Sequence, residues 1–373
     1  MRKAKETKRK TAGTSGAQIL KIRAAVLRRP GGPLKIETLE LEGPRDDEAL
    51  VRIAASGICH TDIDFMDGAD GPVVLGHEGA GVVERTGKGV RGVKPGDHVV
   101  LSYQSCGLCG ECRRGHPAGC ERFWDLNFGF QRPDGSNALH RSGVRGHFFG
   151  QSSFATHVLA TRRNIVKVPM DNLLELLAPL GCGIQTGAGT VMNSLHVLKG
   201  QSVAVFGTGA VGLAAVMAAR IVGGTPVIGV DINPARLKLA LELGATDVID
   251  SRREDVLSRV DGISSGGVDY SLEITGDPVI HRMAIDVLKP DGTVALIASP
   301  GASGALPGGR KSIGIIQGDS VPQEFIPKLI RLYRRGLFPF DRLIRFYGFR
   351  DINRAIRDAR SGKTIKPVLR IGA

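Results

Sequence analysis

Ser202-Val203-Ala204-Val205-Phe206-Gly207-Thr208-Gly209-Ala210-Val211-Gly212 is the stretch that decides the architecture of this 373-residue chain. Residues 203–206 form a short apolar run, which suits a strand buried on both faces. Gly207, Gly209 and Gly212 follow in G-x-G-x-x-G spacing, and an apolar helix signal then runs to Gly223 and Gly224. A second apolar run, residues 227–230, ends at Asp231, 19 positions beyond Gly212. Strand, glycine turn, helix, strand and acid in that order form the dinucleotide-binding fingerprint of a doubly wound parallel sheet. Gly207 permits the tight turn, Gly209 lets backbone approach a pyrophosphate, and Gly212 lets helix and strand pack closely. The helix N-terminus faces the phosphate charge. Asp231 is expected to accept hydrogen bonds from the adenosine ribose and to repel a 2′-phosphate, so NAD is expected over NADP. Arg236, five positions on, is placed to flank the same ribose.

Outward from this unit, strand and helix signals alternate to residue 297, and the Rossmann domain is expected over residues 184–316. Upstream, strand signals recur at residues 24–27, 36–41, 49–54, 73–75, 80–84 and 98–101, separated by Gly and Pro turns. Such spacing reads as a compact β-barrel-like domain over residues 21–183. Apolar helix signals occupy residues 173–180 and 186–195, and no internal repeat is found.

All six cysteines fall into metal-ligand patterns. Cys106, Cys109, Cys112 and Cys120 are spaced C-x2-C-x2-C-x7-C, as a closed tetrahedral zinc site requires. The lobe at residues 104–122 is expected as an aperiodic loop folded by its metal. Cys59 and Cys182 lie far apart with His77 between them, and two thiols plus an imidazole suit an open zinc site with a position left for substrate. Two zinc ions per chain are therefore expected. Disulfides are the alternative, but paired x2 spacing favours metal and no apolar leader segment opens the sequence. Reduced thiols point to the cytoplasm.

The hydrophobic fraction of 42% is enough for real cores, and apolar runs such as residues 213–217 are far too short to span a bilayer. Net charge is +13, of which residues 1–10 carry five, from Arg2, Lys3, Lys5, Lys8, Arg9 and Lys10 against Glu6. Residues 1–20 are expected as a disordered basic tail. No aromatic residue is interleaved with those charges, so base stacking has no platform and no specific nucleic acid is expected.

Gly76-His77-Glu78-Gly79-Ala80-Gly81, followed by Gly87 and Val90, resembles the signature of the zinc-containing medium-chain alcohol dehydrogenases. Cys59-His60-Thr61-Asp62, Gly181-Cys182-Gly183 and the four-cysteine lobe are similar to that family's other zinc segments. The resemblance covers roughly residues 22–373. It implies a GroES-like catalytic domain interrupted by the Rossmann domain, with residues 317–373 returning to the first domain and the active site in the cleft between them. It implies that Cys59, His77 and Cys182 hold catalytic zinc, that Asp62 orients His77, and that Glu78 stands behind the metal. By the same resemblance Thr61 takes the alcohol proton, Thr186 and Val211 lie beside the nicotinamide, and Lys366 reaches the pyrophosphate. His60 stands where the liver enzymes carry a pyrophosphate-binding arginine, and is assigned to the pyrophosphate. Asp64 stands where they carry a relay histidine.

The segments 150–154, 183–189, 318–327 and 339–341 resemble bacterial aryl-alcohol dehydrogenases of the benzyl alcohol type, with Ser102, Tyr103, Trp124 and Phe128 as expected pocket residues. The resulting expectation is oxidation of a primary aryl or allylic alcohol by NAD+ to the aldehyde, in a homodimer or homotetramer with no membrane partner. Two rival expectations are a glutathione-dependent formaldehyde dehydrogenase and a nucleic-acid-binding protein using the basic tail.

Overall fold

The computed structural model describes residues 19–140, 143–171, 173–297 and 303–372. The expected basic tail falls almost wholly outside them, and a strand already begins at Leu20.

Val203–Phe206 is a buried strand, as its apolar run requires, paired in parallel with Val227–Asp231 on one side and Val268–Glu273 on the other. Asp247–Asp250 extends the sheet beyond Val227–Asp231. Leu288–Leu296 and Lys311–Gly314 continue it in parallel beyond Val268–Glu273, and Gly304–Ala305 closes the edge antiparallel. This is the doubly wound order, with its topological switch point between Val203–Phe206 and Val268–Glu273. The helix Ala210–Val222 buries its face from Gly212 to Ala219 and stops at Gly223, whose φ of 82° is a left-handed cap.

The first unit is antiparallel. Leu20–Leu27 pairs with Leu34–Leu41 and with Val73–Val74. A second sheet joins Glu48–Gly57, Glu78–Thr86, His98–Leu101 and Ile165–Lys167 in sequence, with His157–Thr161 also beside Glu48–Gly57. The strand Lys366–Arg370 pairs with the end of Glu48–Gly57, which returns the C-terminal segment to this sheet. One apolar cluster runs from Ala55, Ala80 and Val368 in this sheet to Val205 in the other and Leu213 on the helix Ala210–Val222, so the two units share a core.

Two local expectations differ from the structure. The helix signal over 173–180 is broken into Leu174–Leu177 and a tight turn at Ala178–Gly181, then restarts as Gly183–Gly189. Cys182 sits at the break with φ −143° and ψ −90°, outside the helical region. The cysteine lobe is not wholly aperiodic: it contains a one-turn helix, Gly110–Arg113, and a turn at Pro117–Gly119.

Among the described residues no helix is long and apolar enough to cross a membrane.

Candidate active site

A helix start, a left-handed glycine and a helix interruption place the first cluster. Cys59 is the N-cap of the helix His60–Gly68, and its backbone N–H donates to Asp62 Oδ2 at 2.9 Å. The other Asp62 oxygen accepts from Gly76 N at 3.0 Å and lies 2.9 Å from His77 Nδ1. Gly76 must be glycine: its φ is 91°, and a Cβ there would lie 2.4 Å from Phe154 N. Cys182 arrives from the broken helix, fixed by Thr186, whose hydroxyl donates to Cys182 O at 2.9 Å. One ligand atom each from Cys59, His77, Glu78 and Cys182 all lie within 4.8 Å of one another.

His77 is fully buried and its Nε2 has no hydrogen-bond partner among the described residues. Burial alone would lower the imidazole, but the Asp62 charge and hydrogen bond and the neighbouring Cys59 lift it to about 10. The Cys59 thiol is held well below its usual range by the Cys182 hydrogen bond, against burial, with help from Lys366 and His77. Without a metal, the lowered Cys59 thiol and the raised His77 imidazole neutralise each other; a bound cation would take the place of the imidazole proton and leave Nε2 free to ligate. Two soft thiolates and an unpaired imidazole nitrogen fit zinc.

The fourth group is engaged elsewhere. Glu78 is fully buried, and its oxygens accept from Lys366 Nζ at 2.9 and 3.0 Å. Gly183 N also donates to Glu78 Oε1, at 3.1 Å. Burial raises the Glu78 carboxyl, opposed by Lys366. Lys366, expected at the pyrophosphate, is engaged with Glu78 in this structure. Its ammonium is 2% exposed and spends its donors on both Glu78 oxygens and on Ile58 O at 3.3 Å.

The second cluster contains Cys106, Cys109, Cys112 and Cys120, with all four sulfurs within 4.8 Å and no disulfide. Leu108 N and Cys109 N donate to Cys106 Sγ at 3.4 and 3.3 Å. Those amides outweigh burial and hold the Cys106 thiol at about 6, while burial pushes Cys120 up to about 12. Four sulfurs turned inward with amides on them fit a closed zinc site.

The nucleotide loop has the expected geometry. Gly207 has φ 96°, and a Cβ on Gly212 would fall 1.9 Å from Gly207 O. Space beside Gly209 is open, as a close ligand approach needs. Gly187 packs on the helix behind the loop, where its Cβ would fall 1.9 Å from Val211 O. Val211 thereby sits beside Gly183, and the loop meets the Cys182 cluster.

Asp231 ends its strand with every acceptor position used. Oδ2 accepts from Thr208 N at 2.7 Å and Thr208 Oγ1 at 2.9 Å, and Oδ1 accepts from Ile232 N and Asn233 N. Arg236 lies on the next helix with a buried Nε lacking a partner among the described residues. His60 and Asp64 are exposed on the first turns of their helix, and among the described residues the Thr61 hydroxyl takes a single long hydrogen bond, from Cys59 Sγ at 3.8 Å.

Two expected pocket residues are corrected. Ser102 is fully buried and donates to Gly181 O at 2.7 Å, while Tyr103, 1% exposed, donates to Ser320 O. Both are framework. Phe128 and Trp124 do stack, at 5.3 Å between centroids. The residue missed from sequence is Phe149. Its ring lies face to face with His77 at 4.4 Å, and Phe148 meets the same imidazole edge-on at 5.5 Å. The left-handed φ of Phe149, 52°, turns its ring there, and an aromatic pair in sequence gives no hint of such a backbone.

Residues 45–170 match the alcohol dehydrogenase GroES-like domain, and residues 210–328 match the zinc-binding dehydrogenase domain. Over 360 residues the chain is 48% identical to the geraniol dehydrogenase of Castellaniella defragrans, covering 93% of this chain and 96% of that one. The crystal structure of benzyl alcohol dehydrogenase from Acinetobacter calcoaceticus matches with a TM-score of 0.91 and 43% identity, over 95% of this chain and 100% of that one. The S-(hydroxymethyl)glutathione dehydrogenase of Synechocystis sp. is 34% identical, over 94% of this chain and 100% of that one.

Proposed function

The chain belongs to the zinc-containing alcohol dehydrogenase family, and on that premise we propose that it moves hydride between a primary aryl or allylic alcohol and NAD, giving the aldehyde. The observation that carries the substrate class is the aromatic wall on the His77 ring, formed by Phe149 and Phe148 and continued by Phe128 and Trp124. These rings, with Phe148 and Phe149 buried against His77, give the metal ligand an aromatic, apolar surround that suits an unsaturated alcohol better than a short aliphatic one. The named activities of the geraniol and benzyl alcohol dehydrogenases support the same class.

Cys59, His77 and Cys182 would hold one zinc and the four lobe cysteines the other. Bound at the first site, zinc supplies Lewis-acid polarisation of the substrate oxygen. Asp62 takes the Nδ1 proton of His77 in a hydrogen bond and so leaves Nε2 as the free lone pair. Thr61, two residues from Cys59, carries the hydroxyl that accepts the alcohol proton. Val211 and Thr186 form the apolar floor that orients the reacting carbon. Glu78 and Lys366 balance charge behind the cluster. Asp231 receives the ribose once Thr208 yields its place, and Arg236 flanks it. His60 lies at an exposed helix start within reach of solvent anions. Six unbridged thiols suit the cytoplasm, and we read the enzyme as a homodimer or homotetramer.

A panel of benzyl, cinnamyl, geranyl and ethyl alcohols with NAD tests this reading. The unsaturated alcohols should exceed ethanol in kcat/KM by at least about tenfold, the scale of a single well-packed methylene. Strong activity with formaldehyde only when glutathione is added would reverse the assignment.

A further inference from the structure

Three consecutive residues, Gln317, Gly318 and Asp319, have left-handed φ of 53°, 61° and 47°. Two of them are not glycine, and such a turn persists only where its surroundings hold it. It is held from three sides. Asn193 Nδ2 donates to Gly318 O at 3.2 Å and to Ser320 Oγ at 3.3 Å. Tyr103 donates to Ser320 O. The turn lies so close on the helix Gly183–Gly189 that a Cβ at Gly318 would meet Thr186 O at 2.6 Å, and one at Gly189 would meet Gly318 O at 2.4 Å.

What this turn delivers is the Gln317 amide. The side chain is 8% exposed, its Nε2 lies 3.4 Å from Cys182 Sγ, and its Oε1 accepts from Gln185 Nε2 at 3.1 Å. The direction of that relay is set by a carbonyl that can only accept. Gly181 O receives Ser102 Oγ and Gln185 Nε2, each at 2.7 Å. Gln185 must therefore point its NH2 that way, although its own Oε1 is then left buried without a partner among the described residues. The same NH2 meets Ser102 Oγ at 2.7 Å and faces Gln317 Oε1 at 3.1 Å, and its two hydrogens, shared among these acceptors, favour a Gln317 that presents N–H, and not carbonyl, to the sulfur.

We propose that Gln317, aligned by Gln185, is a positioning residue for Cys182: its neutral N–H donates to the sulfur, fixes the thiolate as a ligand and draws off part of its charge. This rests on the reading of Cys182 as a ligand of the catalytic zinc. Partners at this remove tune a ligand's donor strength without touching the metal. The Cys59 sulfur has the charge of Lys366 acting on it, whereas the Gln317 bond acts on Cys182 without altering net charge. Simple space-filling is the competing role, and methionine would satisfy it at nearly the same volume.

The test uses the zinc enzyme and its cobalt(II)-exchanged form, comparing the unmodified protein with Gln317→Met. Zinc leaving the Cys59/His77/Cys182 site to a chelator should do so about 10–100-fold faster in Gln317→Met. The lobe zinc should leave at an unchanged rate. The sulfur-to-cobalt charge-transfer band should move to lower energy, because a sulfur lone pair relieved of its hydrogen bond is easier to ionise. Gln185→Met, which removes the aligning donor, should move both readouts in the same direction and serves if Gln317→Met does not fold. Unchanged release and an unmoved band in the folded variant overturn the proposal and leave a packing role. An unmodified protein that binds zinc only in its lobe overturns the site assignment itself, which is a distinct failure.

Discussion

Lys366 Nζ lies 2.9 and 3.0 Å from the two carboxylate oxygens of Glu78, and both side chains are closed off from solvent. The pair joins residues 288 positions apart. Lys366 opens the strand that pairs with the end of Glu48–Gly57, and Glu78 opens the strand that follows His77. Gly57 leaves room for the contact, since a Cβ there would fall 2.0 Å from Glu78 Oε2. The C-terminal segment is thus tied to the back of the metal cluster by charge.

Lys366→Met strands a buried carboxylate, and the expected loss is about 3–5 kcal/mol of unfolding free energy in urea titration. Adding Glu78→Gln should recover much of it, because no uncompensated charge remains. Equal stability for the single variant and the unmodified protein would show that the pair does not hold the strand.

Metal analysis of the purified enzyme should give two zinc ions per chain, one for each sulfur cluster. Cys109→Ser should lose one and lower the melting temperature, because a structural site supplies folding free energy. Cys59→Ser should lose the other and abolish turnover while circular dichroism stays native. Full activity in Cys59→Ser would refute the ligand assignment.

Cofactor choice should follow Asp231. NAD is expected over NADP by a large factor in kcat/KM, and Asp231→Ser should narrow it by removing charge repulsion. That variant also loses the two bonds from Thr208, so a rise in KM for NAD is expected too. Thr208→Ala helps to separate the effects, since it removes the hydroxyl bond to Asp231, keeps the backbone N–H bond and leaves the charge in place. Equal use of both cofactors by the unmodified enzyme would count against the role given to Asp231.

For the proton path, Thr61→Ala should lower kcat by about 10²-fold or more, and Thr61→Ser should be tolerated. Asp64→Asn is expected to change kcat only a few-fold. Asp64 is exposed as a residue, yet partial desolvation of its carboxyl raises its pKa above the ordinary range despite the opposing charge of His60. A loss in Asp64→Asn as deep as in Thr61→Ala would make Asp64 the relay base.

Acid stability carries a separate signature at His147. Burial, with the charges of Arg132 and Arg45, holds this imidazole at about 3. The unfolded chain takes up its proton near pH 6.5 and the folded chain does not, so stability falls as pH drops from there towards 3. The slope from this one group is about 1.4 kcal/mol per pH unit. His147→Asn, a residue that tolerates the local φ of 64°, should flatten the measured slope by one proton. Parallel pH curves for the two proteins would rule this out.

Sequence alone determined the doubly wound unit, the four-cysteine lobe and the acid at the end of the second strand. Each is written in local spacing: glycines at fixed offsets, cysteines with two residues between them, a strand-length apolar run. Backbone geometry enforces such patterns over a few residues. Cys59, His77 and Cys182 lie far apart in the chain and are joined only by the family resemblance of their three short motifs. Charge partners and ring contacts are not written in local spacing either. Lys366 matched a pyrophosphate residue by position, yet the fold turns it inward onto both oxygens of the buried Glu78. Ser102 and Tyr103 look like pocket lining until the broken helix and residue 320 claim their hydroxyls. Phe149 reaches His77, and Gln317 reaches Cys182, only through left-handed backbone that neighbouring elements impose. The separations involved, 72 and 135 residues along the chain, exceed anything periodicity encodes. Tertiary packing alone decided them, because a buried charge or amide takes whatever partner the fold brings within hydrogen-bond reach.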